Sequence, residues 1–233
     1  MMKFTKIMPS ASPLCLSLLC LVLVSLPLLA ETITVRALGL GDPELIPERY
    51  LKTANGFEHL AMSTRQPGVF IQISTEKSLP LFEKLAIEGQ PTTYQLVQEL
   101  KLPEDAKNVL ILAFSSDKEE HYLVIPDNFL QNDSNKWLVV NTSSKSVVLQ
   151  VGGIDGEKLV IESNENRGWS IDVEPEKGFA VTARTNCDDK TFYSTYWRLR
   201  EQERSIVIFS QEGNKMKLTR ISDHFLHPAE GGS

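Results

Sequence analysis

An imperfect internal repeat constrains this chain more than any other feature. Residues 101–130 read KLPEDAKNVLILAFSSDKEEHYLVIPDNFL, and residues 198–226 read RLREQERSIVIFSQEGNKMKLTRISDHFL. Leu102 falls on Leu199, Glu104 on Glu201 and Lys107 on Arg204, while Val109, Leu110 and Ile111 fall on Ile206, Val207 and Ile208. After one gap, Ile125, Asp127, Phe129 and Leu130 fall on Ile221, Asp223, Phe225 and Leu226. Both copies share one order of features: a basic residue, an apolar run, a polar turn, an alternating strand and a closing I-x-D-x-F-L. Each copy would complete a β unit, so the pattern predicts an internal duplication with two related β domains in tandem.

Short β-rich runs dominate after residue 31. Residues 32–38, 69–74, 109–114, 122–125, 137–141, 147–151, 159–162, 169–173, 179–185, 192–199, 206–209 and 216–221 read as strands. Residues 92–100 could supply helical turns, but their repeat counterpart reads as strand, so strand is expected there too. Asp155-Gly156 and Gly213-Asn214 are the best hairpin signals, because such pairs tolerate positive φ. Many short strands at regular spacing predict an all-β chain of two tandem antiparallel β-sandwiches. In strand number and spacing they resemble paired immunoglobulin-like modules, and a fold of that kind does not fix a function. The polar stretch 131–135 reads as the linker between a first domain at 31–130 and a second at 136–226. The tail 227–233 is expected to be disordered.

The first 30 residues read as a secretory signal. Lys3 and Lys6 form a basic start, residues 14–29 are uncharged and mostly Leu and Val, and Ala30 suits the last position before cleavage. Leu28 is large for the position two before Ala30, and an uncut segment of this length could anchor the chain in a membrane. The expectation is export to a periplasm or the cell exterior, with no span left after cleavage. Cleavage removes two Lys and no acid, leaving 22 basic against 30 acidic groups, a net charge of −8. Such a chain is repelled by nucleic acid and by anionic lipid. Cys15 and Cys20 leave with the signal, so Cys187 is alone. It is expected to be a buried small side chain rather than one half of a disulfide dimer.

No spacing in the chain carries chemistry of useful specificity. The four histidines, His59, His121, His224 and His227, lack zinc-ligand spacing, and the Asx-rich stretch around Asp127 and Asn132 lacks the calcium-loop pattern. Ser115-Ser116-Asp117-Lys118 matches S-x-x-K but lacks its companion motifs. No cofactor is implied. The paired Glu104…Lys107 and Glu201…Arg204 read as surface ion pairs or turn braces entering a buried strand. The sequon at Asn141 sits at a strand end and reads as incidental. The best binding candidate is the aromatic cluster of the second domain, above all Trp169, Tyr193, Tyr196 and Trp197. An exposed row of these rings would suit a protein or a glycan partner; otherwise the rings fill the core. Three functions follow in order: an exported non-catalytic protein that binds another protein or a surface component, a carbohydrate-binding module, and a small exported hydrolase.

Overall fold

The computed structural model describes residues 31–75, 78–116, 119–127, 136–172, 178–198 and 203–224. The expected signal, linker and tail, with Phe129, Glu201 and Phe225, lie outside the described residues. The first half carries β1 (Glu31–Leu40), β2 (Arg49–Thr53), β3 (Gly56–Leu60), β4 (Ile71–Thr75), β5 (Ser78–Leu85), β6 (Thr93–Lys101), β7 (Asn108–Ser116) and β8 (Glu119–Pro126). The second carries β9 (Lys136–Asn141), β10 (Val147–Val151), β11 (Glu157–Ile161), β12 (Asn166–Ser170), β13 (Phe179–Thr185), β14 (Thr191–Trp197), β15 (Glu203–Glu212) and β16 (Lys215–His224).

The duplication extends to every one of these strands. The first half forms sheets of order β4-β1-β7-β8 and β3-β2-β5-β6; the second forms β12-β9-β15-β16 and β11-β10-β13-β14. Adding eight to each strand number converts one half into the other. β1 with β7 and β9 with β15 run parallel, whereas β2–β3, β2–β5, β5–β6, β7–β8, β9–β12, β10–β11, β10–β13, β13–β14 and β15–β16 are antiparallel. A parallel pair needs a long crossover, here the excursion through the other sheet of the same half.

Three apolar cores separate the sheets. Val35, Ala37, Val109 and Ile111 meet Leu51, Leu60, Leu79 and Leu81 inside the first half. Trp137, Val139, Val207 and Phe209 meet Leu149, Ile161, Val181 and Trp197 inside the second. A third core joins the halves: Leu38, Leu110, Leu112 and Ile125 pack on Leu138, Val140, Ile206, Ile208 and Ile221. The sheets containing β1 and β9 are therefore inner layers, buried on both faces, and those containing β2 and β10 are outer layers. Double burial explains the unbroken apolar runs of β7, β9 and β15, since a strand covered on one side only would alternate.

The strand registers correct the sequence alignment by one residue. Leu110 pairs with Ile125, and Ile206 pairs with Ile221. Leu110 is therefore the counterpart of Ile206, and Asn108, not Lys107, is the counterpart of Arg204. With side chains alternating at period two, a one-residue slip exchanges the faces of a strand. The corrected register places Leu110, Leu112, Ile206 and Ile208 together in the shared core.

Candidate functional site

Two expected features of the second half are structural. Trp197 is buried, and its Nε1 donates to the Tyr193 hydroxyl at 3.0 Å. Trp169 packs edge-on to the fully buried Trp137, with ring centroids 5.8 Å apart. Phe192 and Tyr193 are adjacent, yet both pack on the same core. The β13–β14 register shifts between Ala183 and Arg184, leaving Phe192 as an extra residue, so the usual alternation fails there. Tyr196 alone is well exposed, at 64%. Its hydroxyl donates to the Gly178 carbonyl, and its ring lies on Gly178, where a Cβ would come within 2.0 Å of Cε1. Trp169, Tyr193, Tyr196 and Trp197 thus form no open row; they are a core cluster plus one ring seated on a glycine.

The repeat residues also part company. Glu104 and Lys107 are exposed and form no ion pair among the described residues. Arg204, expected on the surface, is fully buried in a ring of four charges between the halves. Arg36 Nε donates to Asp127 at 2.6 Å, and its two terminal nitrogens donate to Asp223 at 2.8 and 2.6 Å. Arg204 donates from Nε to Asp223 at 2.5 Å and from Nη2 to Asp127 at 2.6 Å. Burial alone would raise the Asp127 carboxyl, but the charges and hydrogen bonds of Arg204 and Arg36 outweigh it and hold the group below the usual range. The same pairing raises Arg36 despite its burial. The quartet is neutral, buried and mutually satisfied, which suits a clamp rather than a reaction centre. The repeat pointed at Asp127 and Asp223 but gave no sign that they shared partners.

Other candidates have local explanations. Asn141 is fully buried; its amide donates to the carbonyls of Lys145, Ile161 and Glu162, and its oxygen accepts from Ser143. It is a structural bracket that no glycan could reach. Cys187 is exposed rather than buried, because it lies in the turn between β13 and β14. Among the described residues no group of His, Cys, Asp and Glu is placed to hold a metal ion, and no helix is long and apolar enough to cross a membrane.

The aromatic surface lies instead on the outer sheet of the first half. His59 pairs with Tyr50, Tyr50 with Phe82 and Phe82 with Leu96, a row crossing β3, β2, β5 and β6. Directly paired residues share a face. Leu51, Leu60 and Leu81 point into the core, so this row points out. Phe57 and Tyr94 join it, stacked with centroids 4.0 Å apart. Phe57 also meets Phe82 at 5.0 Å, and Tyr50 meets Tyr94 at 5.2 Å and His59 at 5.4 Å. Leu96 extends the apolar surface at 47% exposure.

The second half provides an internal control. The β5–β6 register shifts between Leu81 and Phe82, as that of β13–β14 shifts between Ala183 and Arg184. Phe82 therefore corresponds to Arg184. Through the cross-strand pairs, Tyr50 corresponds to Val148, His59 to Val160 and Phe57 to Lys158. None of these counterparts is aromatic, and Arg184 forms an ion pair with Asp189 at 2.7 Å. The same topology thus folds without the rings.

Sequence reading missed this face because three of its strands were missed. Asn55-Gly56, at the β2–β3 turn, was the signal that could have found them: Gly56 has φ of 122°. Comparison with models of known protein families and with curated proteins found no match.

Proposed function

We propose that this chain is an exported, non-catalytic two-domain β protein that binds another protein through the outer aromatic face of its first half. The observation that carries the reading is the contrast between duplicated sheets. Rings at Tyr50, Phe57 and Phe82 have non-aromatic counterparts in an equivalent scaffold, so the fold does not require them. Aromatic clusters supply rigid contact area at low entropy cost and are enriched in binding surfaces.

The ring geometry favours a protein over a glycan at this face. A glycan platform needs rings side by side in one plane. Here Phe57 and Phe82 are inclined at 79° and Tyr50 and Tyr94 at 67°, while the one parallel pair stacks on itself. The signal-like residues 1–30 and the acidic balance support a partner outside the cytoplasm that is neither nucleic acid nor anionic lipid.

A photo-crosslinking residue placed at Leu96, and separately at the counterpart face at Val160, tests the reading in the producing cell. The expected result is a discrete protein adduct from position 96 and none from position 160. Equal adducts from both, or none from either, would overturn it.

A further inference from the structure

We propose that a cleft between the two halves binds the end of a neutral saccharide. This site is separate from the aromatic face and does not depend on it. The cleft encloses about 670 Å³ and lies where the inner sheets part, beyond the carboxyl ends of β1 and β9. The size falls in the range of roughly 300–1,000 Å³ typical of small-molecule sites. The four-charge ring holds the opposite end of the same interface, with the shared apolar core between them.

The lining chemistry selects the ligand class. Ile208 and Ile221 are buried parts of the wall, and Phe114 adds an aromatic ring steadied by His121, with centroids 5.4 Å apart. The half-buried hydroxyls of Ser115, Ser210 and Thr219 also line it, and among the described residues none has a hydrogen-bond partner. A hydroxyl both donates and accepts, which matches the hydroxyls of a sugar. The charged lining groups are exposed and engaged: Lys217 bonds Glu212 at 3.1 Å, and Asp42 accepts from the Glu44 amide at 3.0 Å. Among the described residues no lining cation is left over for an anionic ligand, and the hydroxyls disfavour a purely apolar one. A ring that offers apolar C–H faces to Phe114 and hydroxyls to the walls satisfies both features.

The test uses residues 31–233 with isoleucine methyl groups labelled for NMR, titrated with maltose, cellobiose and N,N′-diacetylchitobiose. The expected result is saturable movement of the Ile208 and Ile221 methyls with at least one disaccharide, while Ile73 and Ile161 in the separate cores stay still. Phe114→Ala should weaken that binding about tenfold or more, equivalent to about 1.4 kcal/mol. Leu96→Glu, on the outer face, should leave it unchanged, which separates this site from the protein-binding reading. The proposal is overturned if all three disaccharides leave both methyls unmoved, or if the shifts survive Phe114→Ala.

Discussion

Replacing Asp127 by Asn tests the clamp between the halves. The carboxylate accepts from Arg36 and Arg204 at 2.6 Å each, and those arginines are 5% and 0% exposed. The substitution keeps the shape but leaves two buried guanidinium groups facing one carboxylate. Removing one partner of a buried ionic pair costs about 3–5 kcal/mol, because a charge is left uncompensated. Counting the two lost charge-assisted hydrogen bonds at about 1.5–3 kcal/mol each gives a similar figure. For a chain of this size each kcal/mol lowers Tm by about 2–4 °C, so the expected fall is about 6–20 °C by circular dichroism. Adding Arg36→Met should recover part of the loss, since one charge of each sign is then gone. A fall below about 2 °C for Asp127→Asn, or a further fall on adding Arg36→Met, would refute this reasoning.

Three further outcomes follow from the same structure. Asp127 titrates below its unfolded value of about 3.9, so its contribution is present above that pH and is lost as pH falls through the depressed folded value. Tm should therefore decline below about pH 4, and less steeply in Asp127→Asn, as a pH series of melts would show. Gly156→Ala should destabilise by about 1–3 kcal/mol in urea, because its Cβ would meet the Val151 carbonyl oxygen at 1.9 Å. Trp137→Phe should cost about 1 kcal/mol less than Trp197→Phe in the same assay, since the Trp137 indole N–H has no partner among the described residues whereas Trp197 donates to Tyr193.

The legible part of the fold was whatever period-two patterning or a local repeat could carry. β6 was read correctly against a competing helical pattern because its repeat partner is a strand. The unbroken apolar runs around Leu110, Val139 and Val207 identified strands, and they also held the clue to burial on both faces. β5 was hidden by Pro80, which removes a ladder donor. The structure tolerates it because β5 meets β2 at a single pair, Tyr50 with Phe82, so Pro80 sits beyond that contact. With β2, β3 and β5 unread, the rings of Tyr50, Phe57 and Phe82 could not be placed on one face. The second-half aromatics were hard to place for a related reason: the bulge at Phe192 breaks the alternation that would otherwise put the neighbours Phe192 and Tyr193 on opposite sides. The ring of Arg36, Asp127, Arg204 and Asp223 was illegible, because its members are up to 187 residues apart and come from four separate positions on two inner sheets.

The measurement that bears most directly on the binding face is Leu96→Glu in a chain carrying the photo-crosslinker at the exposed His59 position. Leu96 is 47% exposed, so a charge there should alter stability by no more than about 0.5 kcal/mol. The account predicts an unchanged melt and loss of the protein adduct. An adduct that persists in a fully folded Leu96→Glu chain would contradict it.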